Sequence, residues 1–389
     1  MIDQSPSQHA PKNEEVRQVA LSPLDSFHRL AGAKMADFGG WMMAIEYPSP
    51  SGVLAEHNAV RSSVGLFDVS HLGKISITGE GAAAFLNRVL TNDLSVVKAG
   101  EAQYSLICSD DGGVIDDLIV YLISESELFL VPNAANCLQV YQVISTLAPK
   151  NISVTNLHDH YGVIAIQGPK SREVLHSLAM RSDIEYMNFA QIEVENEKVI
   201  ICRSGYTGEL GFELIAPCKG SSAEFFHKLW SDLLVKVNQE GGLVAGLGAR
   251  DTLRTEMGYP LHGQELSHEI NPIEAGAKWA VAFDKEDFLG KSALVSYLKN
   301  SKQRKSFAIK ALDKGIPRRG MAILKNGEVV GQVTSGTFSP SLKVGIGLAL
   351  LDIGEMKFSI GDQLEIDIRG RSSAIEIVKL PFAPSKVRS

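Results

Sequence analysis

An α+β fold with a small all-β domain at its C-terminal end follows from three features of the sequence. Strand-period and helix-period apolar patterns alternate from about residue 21 to 298. The Gly-rich turn DDGG at 110–113 joins two apolar strands into a hairpin. Beyond residue 300 only short strands separated by turn residues remain. The length of 389 residues calls for two or three domains at about 100–200 residues each. An apolar content of 44% and a charged content of 21% are those of an ordinary globular chain. The net charge of −7 offers no concentrated basic surface, which argues against a nucleic-acid partner.

Residues 1–20 are polar, Pro-containing and unpatterned, and are expected to form a disordered arm. They lack the apolar core of a secretory signal, and Glu14 and Glu15 do not fit a mitochondrial presequence. No apolar run approaches the roughly 18 residues of a membrane helix. Cys108, Cys137, Cys202 and Cys218 are scattered and never at C-x-x-C spacing, so they read as reduced core residues of a cytoplasmic protein.

Along the chain, 22–31 and 56–63 read as short helices, with Gly39-Gly40 breaking the pattern between them. A strand over 74–78, a helix over 82–90, strands over 103–108, 114–123 and 128–132, a helix over 135–146 and a strand over 152–156 follow. That order predicts an antiparallel sheet with helices on one face. A second α+β stretch has strands at 163–166 and 212–215, a hairpin turning at 195–198, and helices over 170–179, 222–237 and 248–257. Strands over 306–311, 321–324, 329–333, 347–351, 364–368 and 374–378, with a type I′ signal at Asn326-Gly327, predict a small barrel or sandwich. The expected division is an arm at 1–20, an α+β region at 21–298 holding two interleaved domains, and a β domain at 299–389.

Three clusters carry candidate chemistry. In VIDDLIVY, 114–121, strand alternation puts Asp117 on the face of Ile115, Ile119 and Tyr121, and Asp116 on that of Val114, Leu118 and Val120. One acid is thus expected to face a half-buried interior, where an unpaired carboxylate is costly or has a raised pKa. The pattern does not choose between them; the structural alternative has one acid in solvent and the other on the Gly-rich turn. Tyr104 and Tyr121 flank the hairpin with flat faces suited to a heterocycle.

In RSGYTGELGFEL, 203–214, three glycines at three-residue spacing imply a tight loop with Tyr206 and Glu213 at its ends. The dinucleotide and Walker patterns are both absent from it. In the segment 246–276, Arg250 and Arg254 stand at i,i+4 on one helix, able to receive a carboxylate ligand or to pair internally with Asp251 or Glu256. His71 is balanced between core and site wall, and His262 is expected at the surface.

Together these segments resemble the aminomethyltransferase, or T-protein, family of the glycine cleavage system. The similarity runs in order through FGGW at 38–41, GLFDVSH at 65–71, YSL to GGVIDDLIVY at 104–121 and NAAN at 133–136. It continues through IQGP at 166–169, GYTGELGFE at 205–213, GLGARDTLR at 246–254, TSGTFSPSL at 334–342 and KLPF at 379–382. The resemblance implies a three-domain cloverleaf around a folate pocket, its last domain a small β-barrel. It also implies transfer of an aminomethyl-derived carbon from a lipoyl arm on H-protein to tetrahydrofolate, giving 5,10-methylenetetrahydrofolate, ammonia and dihydrolipoyl H-protein. By position, Asp117 matches the family's essential acid. Leu72, Tyr104, Tyr121, Asn133, Tyr206, Glu213 and Arg250 match folate-site positions, and no metal is implied.

The chain departs from the family where Leu72-Gly73 replaces a frequent Met-Gly, a nearly volume-conserving change, and where Met42-Met43-Ala44 replaces Glu-Met-Pro. Two alternatives share the expected fold: a folate-dependent demethylase and a non-enzymatic folate-binding accessory protein. YPLHGQELS at 259–267 lacks the lysine and cysteine that mark the accessory relatives.

Overall fold

The structure, a computed structural model, describes residues 19–49, 52–300, 303–354, 356–368 and 370–389. The acid pair sits in a five-stranded antiparallel sheet. Its order is Ala102–Cys108, Val114–Ser124, Glu127–Pro132, Ile75–Thr78 and Ser153–Asn156. Helices Ala82–Asn87 and Cys137–Leu147 cover one face, setting Phe85, Leu86, Val140 and Ile144 against Leu118, Val120 and Leu130. Ile119 and Tyr121 point to the opposite face and join Phe67, Val163 and Phe189 in the central core.

The alternation fails at the turn end of this hairpin. Ile107 pairs with Asp116 but Cys108 pairs with Val114, so Ile115 is an extra residue. This bulge shifts the faces by one residue. Ile115 packs with Leu118 instead of sharing the face of Asp117, and Val114 turns to Leu106 and Cys108.

A six-stranded sheet forms the second unit, ordered Phe189–Val194, Glu197–Cys202, Gly211–Pro217, Tyr161–Gln167, Gly65–Asp68 and Leu243–Val244. The helix Ala223–Gln239 lays Phe226, Leu229, Trp230, Leu233 and Val237 on it, the spacing of one helical face. Phe67 and Ile215 of this sheet meet Tyr121 and Phe129 of the first, so the two units share one core. The apolar pattern assigns no strand to Gly65–Asp68, nor to the hairpin Lys34–Phe38 and Trp41–Glu46. Ala20–Leu21 pairs in parallel with Trp41 and Met42, so regular structure begins inside the segment expected to be an arm; residues 1–18 lie outside the described residues.

The C-terminal strands close into a barrel, not a sandwich. Arg304–Ala311, Val344–Asp352, Glu328–Ser339, Ala322–Lys325, Gln363–Ile368 and Arg371–Val378 pair in turn, and the last returns to the first. Asn326 and Gly327 take φ of 54° and 84°, the left-handed pair of the type I′ turn. The helix Leu247–Met257 joins the barrel to the rest through Glu256. That carboxylate accepts from Arg61 Nη2 at 2.8 Å, Ser339 Oγ at 2.6 Å and the Ser341 N–H at 3.1 Å. Among the described residues no helix is long and apolar enough to cross a membrane.

Candidate active site

Asp117 is half-buried at the centre of a hydrogen-bonded group. The Tyr104 hydroxyl donates to its Oδ2 at 3.1 Å, and Asn133 Nδ2 donates to its Oδ1 at 2.9 Å. Asp116, fully buried on the helix-covered face, accepts from the Asn133 N–H at 2.8 Å, Asn133 Nδ2 at 2.9 Å and Asn136 Nδ2 at 2.7 Å. Neither acid is free in solvent, and neither holds the Gly-rich turn. Asp111 does that, accepting from Ser109 Oγ and the Gly113 N–H.

Burial pushes both carboxyls above the ordinary range, and the charge of Asp117 adds to the effect at Asp116. At Asp117 the burial is opposed by His262 and by hydrogen bonds from Tyr104 and Asn133. A base with a raised pKa and two fixed donors is oriented and poised for proton transfer.

Leu72, Tyr104, Asn133, Tyr206, Glu213 and Arg250 are each half-buried. Tyr104 and Tyr206 lie close enough to Asp117 to feel its charge, and Arg250 lies close to Tyr206 and Glu213. The Tyr206 hydroxyl donates to the Pro260 carbonyl, which fixes its ring. The Arg250 guanidinium carbon lies 4.6 Å from that ring's centroid, and no acceptor among the described residues takes its N–H groups. The Ser204 hydroxyl donates to Glu213 Oε2. Tyr121 is 1% exposed and edge-on to Phe189, with its hydroxyl near Cys202, Ser204 and Glu213. His71 is buried against the Phe38 ring, and its Nδ1 has no hydrogen-bond partner among the described residues. Burial, with the charge of Arg250 next, lowers its pKa to about 3 and keeps it neutral.

Several expectations change. His262 is half-buried, not at the surface; its Nδ1 faces Asn136 Nδ2 at 2.9 Å and its Nε2 donates to the Val114 carbonyl at 3.0 Å. Arg250 and Arg254 share a helix but differ in their partners. Arg254 is buried and spent internally on Asp251 at 2.8 Å and Glu265 at 3.1 Å, while Arg250 lies against the Tyr206 ring. Gly211 begins a strand, so the glycine cluster is not all loop. Close approach explains it: a Cβ at Gly205 would fall 2.0 Å from Gln167 Oε1, and one at Gly211 2.4 Å from Gln167 Cδ. Sequence reasoning missed Asn136, Ser204 and Trp279. Trp279 stacks on Tyr104 with centroids 5.2 Å apart yet stays 69% exposed.

Residues 24–285 match the GCVT N-terminal domain family, and residues 302–383 match the glycine cleavage T-protein C-terminal barrel domain. The chain is 50% identical to an aminomethyltransferase from Parafrankia sp., over 95% of this chain and 100% of that protein. It is 47% identical to one from Mycobacterium bovis, over 96% of this chain and 100% of the relative. The crystal structure of glycine cleavage system aminomethyltransferase T from Bartonella henselae superposes with a TM-score of 0.86 at 31% identity, covering 95% of this chain and 100% of that one. Matched from end to end of its folded body in sequence and in structure, the chain belongs to the glycine cleavage T-protein family.

Proposed function

We propose that Asp117 carries the chemistry of this tetrahydrofolate-dependent aminomethyltransferase of the glycine cleavage system. In the same reading, Leu72, Tyr104, Asn133, Tyr206, Glu213 and Arg250, with Tyr121 behind them, form its folate site. The observation that supports this most is the half-buried Asp117 carboxylate, held by Tyr104 and Asn133 at the centre of that ring. The relatives named above are aminomethyltransferases, which favours neither the demethylase nor the accessory-protein reading.

The residues fit a reduced folate on their own chemistry. Arg250 presents N–H groups that no described residue accepts, and His71 Nδ1 is buried without a partner. Glu213 supplies a carboxylate for the donor edge of a pterin, and the Tyr206 and Tyr104 rings supply flat faces. When bound, tetrahydrofolate supplies the nitrogens that take up the one-carbon unit, so that 5,10-methylenetetrahydrofolate and ammonia are the products.

Asp117 acts as an oriented anion whose charge favours positive charge developing on the carbon as it leaves sulfur. Its Oδ1 and Oδ2, each already holding one donor, keep lone pairs to accept a proton from the nucleophile. The donor in this reading is the lipoyl arm of a partner H-protein, and the exposed Trp279 ring stacked on Tyr104 offers such an arm an apolar contact. The four unpaired cysteines suit a reducing compartment, and we place the protein in the cytoplasm.

The test mixes the protein with aminomethyl-loaded H-protein and tetrahydrofolate and follows ammonia and methylenetetrahydrofolate together. Stoichiometric formation of both is expected, with a loss of at least about a hundredfold in Asp117→Asn. Folate binding without ammonia release would defeat the reading.

A further inference from the structure

Asn136 and His262 stand outside the ring assigned to folate, yet they connect to its acid. His262 Nε2 lies 3.0 Å from the Val114 carbonyl, which only accepts, so the proton sits on Nε2. In the neutral ring Nδ1 is then a lone pair, and it faces Asn136 Nδ2 at 2.9 Å. The same Nδ2 donates to Asp116 Oδ1 at 2.7 Å, so both of its hydrogens are committed. Turning the Asn136 amide over would set its oxygen against a carboxylate oxygen and a lone pair.

Asp116 Oδ1 also takes Asn133 Nδ2, and that nitrogen reaches Asp117 Oδ1. Val114, Asp116 and Asp117 lie on one strand at the bulge where ladder pairing shifts. The chain of hydrogen bonds thus starts on the Val114 carbonyl, on one side of the bulge, and ends on the Asp117 carboxylate, on the other.

We propose that His262 is a positioning residue for Asp117, acting through Asn136, Asp116 and Asn133. It touches neither folate nor the reacting carbon; it fixes which way the Asn133 amide faces, and so keeps one of the two donors on Asp117. The proposal rests on the reading of Asp117 as the reacting acid. The outer side of His262 opens on a polar cleft of about 470 Å³ shared with Gln264, His268, Arg319 and Thr334. Shortening it therefore leaves no void in an apolar core, and the variant is expected to fold. The ionisable groups around Asp117 are Asp116, Tyr104, Tyr206 and His262.

The test compares His262→Ala with His262→Gln, whose amide can accept and donate at about the places of the two ring nitrogens. In the aminomethyl-transfer assay, His262→Ala is expected to lower kcat about tenfold or more while KM for tetrahydrofolate stays within about twofold, the pattern of a misplaced group. His262→Gln is expected to recover most of that loss. In free protein carrying 13C at its aspartate carboxyls, the Asp117 signal (assigned by its absence in Asp117→Asn) is expected to titrate at higher pH in the Ala variant, by about half a unit or more.

Wild-type kcat and an unmoved titration in His262→Ala would overturn the proposal. So would a joint fall of kcat, folate affinity and melting temperature that Gln does not relieve, since that is a purely structural role. Full activity in Asp117→Asn sinks the underlying assignment of Asp117 instead, and the carboxyl titration tells the two failures apart.

Discussion

Arg250 lies over the ring of Tyr206, its guanidinium carbon 4.6 Å from the centroid, and keeps its N–H groups unspent among the described residues. A guanidinium held by a π face, with no carboxylate bonded to it, keeps its planar fork available, which is why Arg250 is proposed to meet folate. Burial lowers its pKa, and the nearby Glu213 opposes that shift. Arg250→Lys keeps the charge but loses the planar fork. It is expected to weaken binding of tetrahydrofolate or a stable reduced analogue about tenfold by calorimetry, since a tenfold change is only about 1.4 kcal/mol. The melting temperature of the free protein is expected to stay put. Tyr206→Phe retains the face under Arg250 and is expected to lose less than about threefold.

How much of this was legible depended on whether a feature is local. The hairpin at 102–124, the helix Ala223–Gln239 and the barrel strands all express a period of two or 3.6 residues, and each appears where the pattern puts it, although the strand expected over 329–333 runs on to Ser339. The bulge at Ile115 does not show in that pattern, because register is a property of the pair Ile107–Asp116 and not of either strand alone. The i,i+4 relation of Arg250 and Arg254 was readable. Their division of labour was not, since it turns on Tyr206, Glu265 and the loop between.

Within the site, the same distinction decides what could be found. Asp117, Tyr104 and Tyr121 sit on one hairpin and announce themselves as polar or aromatic breaks in an apolar run. His262 has partners 126 and 148 residues away, Asn136 and the Val114 carbonyl, so nothing near it in the chain marks it as internal. The glycines of 205–211 signalled an unusual backbone, but the physical cause is the Gln167 amide occupying the space where a Cβ would stand.

Glu256 offers a prediction about stability. Burial pushes its carboxyl up, but the His57 and Ser339 hydrogen bonds and the charge of Arg61 more than offset that and hold it at about 2, below its ordinary 4.5. The stabilisation is therefore complete above about pH 4.5 and is lost as pH falls towards 2. Glu256→Gln is expected to cost on the order of 3 kcal/mol at pH 7, because the buried charge that Arg61 and His57 share is removed and Arg61 keeps Glu209 alone. Denaturant unfolding at several pH values checks this. The difference between wild type and variant should shrink as pH drops through that window, and a constant difference would show that the charge is not what joins barrel to helix.

Tyr104 carries the prediction that bears most directly on the chemistry. Its hydroxyl donates to Asp117 Oδ2 at 3.1 Å while its ring is stacked on Trp279, so Tyr104→Phe removes one hydrogen bond and retains the packing. That hydrogen bond favours the ionised acid and opposes the upward push of burial. Without it the pKa of Asp117 rises further. Because the ionised form is the one proposed to react, activity should climb as pH rises through that pKa, and the acid limb of the kcat/KM profile is expected to move to higher pH by about half to one unit. Well above the limb the loss should be under about tenfold, since Asn133 still orients Oδ1. A limb that moves down, or stays while the plateau collapses, would mean that Tyr104 serves by holding folate and not by tuning the acid beside it.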